Sequence, residues 1–141
     1  MASFPGVISK NPSKYFYPLQ ILQPAARTST ATGTAVDRAR NQGYASLTLM
    51  VSPGAWTDGT HNFIIEESDD NSTWGTVAAA DLLGASAFTS ITSSGTATVQ
   101  RIDYIGRSRY VRVRTTTSGT TTGAVYGVLG LLFAPNIFPA A

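Results

Sequence analysis

Residues 56–74 read WTDGTHNFIIEESDDNSTW: a turn, an extended run, an acidic turn and an aromatic return. Asp58-Gly59 is a turn dipeptide, and in the run that follows Phe63 and Ile65 share one side while Ile64 and Glu66 share the other. Asp69, Asp70, Asn71 and Ser72 are turn formers, and Trp74 opens a return through Val77. The stretch predicts a β-hairpin.

The same two-residue period extends outward on both sides. In ASLTLMVS, Leu47, Leu49 and Val51 face one way and Thr48 and Met50 the other, with Ser52, Pro53 and Gly54 as an expected stop. In RSRYVRVRTTTS, Val111 and Val113 point inward while Tyr110, Arg112 and Arg114 line the opposite face. The run GAVYGVLGLLF sets Val125, Gly127, Leu129 and Leu131 against Tyr126, Val128, Gly130 and Leu132. Both of its faces are apolar, as in a central strand or one sealed by another subunit. A short strand is expected over residues 19–22, stopping before Pro24, and another run passes through Phe88 and Ile91 to Val99 and Ile102. AAADLLG over residues 78–84 is either one helical turn or a loop. Seven or eight short strands joined by Gly, Ser and Thr turns predict an all-β fold, an antiparallel β-sandwich of jelly-roll type.

Three regions follow. Residues 1–18 carry Pro5, Pro12 and Pro18 among Phe4, Tyr15, Phe16 and Tyr17, without helical or two-fold period, and are expected to form an extended N-terminal docking arm. Residues 19–134 form the sandwich, and residues 135–141 a short tail in which Ile137 and Phe138 are candidate anchors. A chain of 141 residues accommodates one such domain. Charged residues are only 13% of it, which suits either strands covered by neighbouring subunits or a Thr-rich β protein that solubilises itself with hydroxyls. Without cysteine there is neither a disulfide framework nor a thiolate site. No secretory signal or membrane-length apolar run is evident, so synthesis in the cytoplasm is expected.

Nothing in the sequence assembles a reaction centre, and no catalytic residue, metal or cofactor is expected. His61, the only histidine, stands at a strand start and reads as structural. Glu66 and Glu67 are neighbours in a strand and point to opposite faces, so they do not form a glycosidase pair; Glu66 with Asp103, or Glu67 with Asp81, would need tertiary placement. The acidic turn lacks the calcium-loop pattern and reads as an Asx-rich turn. Trp56 and Trp74 cap the core or, if both were exposed, form a sugar-stacking platform.

Charge is unevenly placed. Arg101, Arg107, Arg109, Arg112 and Arg114 crowd into RIDYIGRSRYVRVR, and Glu66, Glu67, Asp69 and Asp70 into EESDD. The formal net charge of +2 is weak for a nucleic-acid binder, so no specific nucleic acid is expected and the arginine–tyrosine run favours a protein partner. Opposed patches of this kind are suited to meeting across a subunit interface.

Trp56-Thr57-Asp58-Gly59, Glu66 through Asp70, and Arg109-Tyr110-Val111-Arg112-Val113 together resemble small virion structural proteins of tailed bacteriophages, over about two thirds of the chain. The resemblance implies a non-enzymatic particle component, most similar to head decoration (cement) proteins that bind the outer capsid surface. It implies the phage major capsid protein as partner, residence in the virion, a homo-oligomer, commonly a trimer, and no membrane. Phe4, Tyr15, Phe16 and Tyr17 would anchor the arm, and Arg107, Arg109, Tyr110, Arg112 and Arg114 would meet acidic surface on a partner. A head–tail connector, or a minor tail or head-fibre protein that binds carbohydrate, is the alternative.

Overall fold

The computed structural model describes residues 12–40, 43–95 and 98–135. After a 3-10 turn at Pro12–Lys14, ten strands follow: β1 (Phe16–Arg27), β2 (Ala31–Thr32), β3 (Val36–Asp37), β4 (Tyr44–Trp56), β5 (Thr60–Ser68), β6 (Gly75–Thr76), β7 (Leu82–Leu83), β8 (Gln100–Tyr104), β9 (Tyr110–Ser118) and β10 (Ala124–Pro135). They form two antiparallel sheets, the first ordered β1-β10-β4-β8-β7 and the second β2-β9-β5-β6, with β3 also pairing β9. The sheets pack face to face as a β-sandwich.

The alternating positions supply the core. From the first sheet come Leu47, Leu49 and Val51, with Ile102, Tyr104, Tyr126, Val128 and Leu132; from the second come Phe63, Ile65, Val111 and Val113. Phe63 packs edge-on against Tyr126, with ring centres 5.1 Å apart, and against Phe88 at 6.1 Å. Burying each such side chain contributes about 1.5–3 kcal/mol, so this layer dominates the stability of the fold. Gly127 answers to close packing, since a Cβ there would lie 2.8 Å from Cγ of Pro24.

Several strands depart from their expected bounds. β1 runs straight through Pro18 and Pro24 because it is an edge strand, where a missing N–H need not break a ladder, and register shifts flank Leu22. Phe16, Tyr17 and Pro18 therefore belong to the sheet, paired with Phe133, Leu132 and Leu131, and not to the expected arm. Phe4 and the rest of residues 1–11 lie outside the described residues, as do Ile137 and Phe138 of the expected tail. β4 continues past Pro53 to Trp56, for β8 stops opposite Val51 and leaves that side of β4 without a partner to bond. The segment around Phe88 and Ile91 is not a regular strand: Ile91 exchanges two backbone hydrogen bonds with His61, both 2.9 Å, along the β5 edge that β6 leaves open. Of the two alternatives for residues 78–84, a helical turn of 3-10 type forms at Ala79–Asp81, and Leu82–Leu83 continue as β7. No helix among the described residues is long and apolar enough to cross a membrane.

Candidate protein-interaction surfaces

The outer face of the β2-β9-β5-β6 sheet carries most of the arginine–tyrosine run. Antiparallel register sets Arg112 opposite Glu66, Arg114 opposite Ile64 and Tyr110 opposite Ser68. The Glu66 carboxylate is 8% exposed and divides between two cations, accepting from Arg112 Nε at 2.9 Å and from Arg114 Nε at 3.4 Å. The Arg112 guanidinium also lies 4.0 Å from the centre of the Trp74 ring. Arg109 grips Asp37 with two hydrogen bonds, Nε to Oδ1 at 2.9 Å and Nη2 to Oδ2 at 3.1 Å, and stacks over Tyr110. That bidentate bond holds the Asp37 carboxyl below the usual carboxylate range. Glu66, one of the acids expected to face a basic patch, meets its arginines within one chain. Arg107 alone of the four predicted arginines is exposed with no ion pair among the described residues.

Asp70, Glu67 and Asp58 are also engaged locally. Asp70 closes its own turn by accepting from the N–H groups of Ser72 and Thr73 and from the Ser68 hydroxyl, at 2.9, 2.7 and 2.9 Å. These bonds lower its pKa to about 2, and Asn71 takes the left-handed conformation the turn needs. Among the described residues no cluster of three acidic, histidine or cysteine side chains could hold a metal ion. Glu67 points inward and accepts from the Tyr104 hydroxyl at 2.6 Å, while that hydroxyl accepts from Ser108 N–H at 3.0 Å. Burial, then the bond to Glu67, pushes Tyr104 up to about 12. The buried Arg38 guanidinium lies 5.0 Å from the centre of the Tyr104 ring and donates to the carbonyls of Ser108 and Ala45. No sequence signal marks this internal polar group, because DRAR reads equally well as a solvated loop.

His61 is fully buried, with Nε2 donating to the Asp58 carbonyl at 3.1 Å and Nδ1 accepting from the Tyr126 hydroxyl at 3.3 Å. The Asp58 carboxylate in turn accepts from the N–H groups of Thr121, Thr122 and Gly123, which lowers its pKa and clasps the β9–β10 loop. Glu66 and Asp103 sit on opposite outer surfaces of the sandwich, so that carboxylate pair does not form. Trp56 and Trp74 are both half-buried and flank opposite ends of β5, whose length of roughly 27 Å keeps them from sharing a platform.

The outer face of the β1-β10-β4-β8-β7 sheet is different in kind. Its cross-strand rows read Phe16–Phe133–Ser46, then Pro18–Leu131–Thr48–Asp103–Leu83, then Gln20–Leu129–Met50–Arg101. Phe16 packs on Phe133 with ring centres 5.6 Å apart. Tyr17 points the other way and lies under Arg40, at 4.2 Å, while Tyr15 sits in the turn that precedes β1. A shallow groove of about 510 Å³ runs along this face between Phe133 and Leu83. The large apolar side chains most open to solvent among the described residues, Leu83 at 51%, Val99 at 57%, Ile105 at 44% and Leu129 at 41%, all lie on this sheet or at the ends of β8. The second apolar side of β10 was legible in its sequence; its exposure, and the part played by Met50, Leu83 and Ile105, depended on which strands lie beside it. No family model matches the sequence, and a search of curated proteins finds no match.

Proposed function

We propose that this chain is a non-enzymatic structural protein of a tailed-bacteriophage particle, a capsid decoration protein that binds the outer shell and stabilises it. The observation that carries this reading is the apolar outer face of the β1-β10-β4-β8-β7 sheet. A monomeric protein rarely gathers its exposed large apolar side chains on one surface, and such a surface is suited to being covered by protein. The resemblance to virion structural proteins supplies the kind of particle, and the major capsid protein is the partner that the expected arm and Arg107 would meet. Repeated modest contacts around a closed shell would provide avidity against the pressure of packaged DNA.

The finer architecture we propose is a jelly roll with an N-terminal arm. Strand order supports it: leaving β7 aside, the sheets run β1-β10-β4-β8 and β2-β9-β5-β6, so early strands lie beside late ones in both. Two nested Greek keys produce that alternation, an arrangement found in viral capsid domains. The arm in this proposal is the part of the expected arm, with Phe4, that lies outside the described residues. Of the four arginines expected to meet a partner, Arg107 is the cation left for an acidic surface on the shell.

Cryo-electron microscopy of the particle tests this. Density repeated over the icosahedral lattice is expected; density confined to one vertex or to the tail would replace decoration by a connector or adsorption role. Deleting residues 2–11 should lower shell occupancy while the sandwich stays folded, and unchanged occupancy would remove the arm from the proposal.

A further inference from the structure

We infer that the outer face of the β1-β10-β4-β8-β7 sheet closes on the same face of a second copy of this chain, about a two-fold axis. The inference rests on the reading that this face is covered by protein, and it names the cover. The axis lies midway between the stacked sheets, perpendicular to the strands and level with Ile102.

The charges on the face select this geometry. Arg101 is exposed and its side chain has no hydrogen-bond or ion-pair partner among the described residues. Asp103 lies two positions further along β8 on the same side, and Thr48 Oγ1 donates to its Oδ1 at 2.7 Å. One cation and one anion spaced in this way are self-complementary when the strand meets its own reversed copy. Arg101 then stands over the partner's Asp103, and Asp103 over the partner's Arg101. A two-fold axis running along β8 would instead set Arg101 against itself.

Apolar side chains follow without further adjustment, because rotation about this axis leaves each strand over its own counterpart. The row Gln20–Leu129–Met50–Arg101 stacks on the partner's row of Pro18, Leu131, Thr48 and Asp103. Leu129 therefore meets the partner's Leu131. One step out, Ile105, 44% exposed, meets the partner's Val99, 57% exposed. Sheets stacked face to face sit about 10 Å apart, which side chains of this size fill. The Phe16–Phe133–Ser46 row stands level with Ile105 and falls over the partner's Gly127 and Ser52, so the pair covers it and leaves Arg107 free for the shell.

Sedimentation equilibrium of the full chain over a concentration series tests the pairing. The wild-type chain should dimerise. Arg101→Asp and Asp103→Arg should each weaken the homodimer by about tenfold or more, since each places two like-charge contacts at the interface. Mixing these two variants should restore pairing as a heterodimer, in which every contact is again opposite in sign. A monomer at all concentrations, a trimer, or a dimer indifferent to both substitutions would overturn the inference. Shell binding is read separately: a dimer that ignores capsids refutes the decoration reading alone, and a monomer that binds them refutes the pairing alone.

Discussion

The two outer faces of this sandwich begin from the same kind of sequence, alternating strands with one side turned to the core, and reach opposite outcomes. On the β2-β9-β5-β6 sheet, Glu66, Arg112, Arg114, Trp74, Asp37 and Arg109 satisfy one another within the chain. On the β1-β10-β4-β8-β7 sheet, Leu129 is exposed and Leu131, Met50 and Phe133 are only half-buried, and Arg101 has no counter-ion among the described residues. Charge density in the sequence points to the first face as the sticky one. Geometry reverses that ranking, because a charge that is already paired gives a partner little to gain.

The contrast can be broken most sharply at Glu66. Glu66→Ala strands two half-buried guanidinium groups, so the chain should lose about 1–2 kcal/mol, visible as a lower urea midpoint. An unchanged midpoint would mean that the face is not held by its own ion pairs. Acid should act in the same direction and more gradually. Asp37, Asp58 and Asp70 all have folded pKa values below the usual carboxylate value of 3.8, Asp70 at about 2. Groups of this kind add stability above their unfolded pKa and lose it as pH falls through the folded one. Unfolding followed from pH 5 downward should show stability declining from about pH 4 towards pH 2, and Asp70→Asn should flatten part of that decline. The smallest effect is expected on the other face. Leu129→Ser, studied at dilution, should move stability by no more than about 0.5 kcal/mol while reducing the binding of an apolar dye. A loss comparable to that of Glu66→Ala would show that Leu129 belongs to the core of the single chain.

Much of this was written locally. Leu47, Leu49 and Val51, then Val111 and Val113, then Tyr126, Val128 and Leu132 occupy the core side that their alternation predicts. The two-fold period assigns a side chain to a face without saying what lies across from it. Hence Arg112 was legible as outward-facing, but its pairing with a glutamate 46 positions away was not, since register between distant strands is a tertiary choice. β1 was misjudged for a related reason: proline interrupts a strand when both neighbours must be bonded, and only the assembled sheet reveals that Pro18 and Pro24 sit on an edge. The inward side chains of Glu67, Tyr104 and Arg38 come from three separate segments whose convergence no local pattern signals.

Those two prolines have a consequence for how copies of the chain can accumulate safely. An exposed twelve-residue edge strand is a template on which another molecule could add its own strand, and the product of such addition grows without limit. Pro18 and Pro24 each withhold an amide proton, and the register shifts around Leu22 bend the strand out of line. Both features disfavour addition of a further strand at this border.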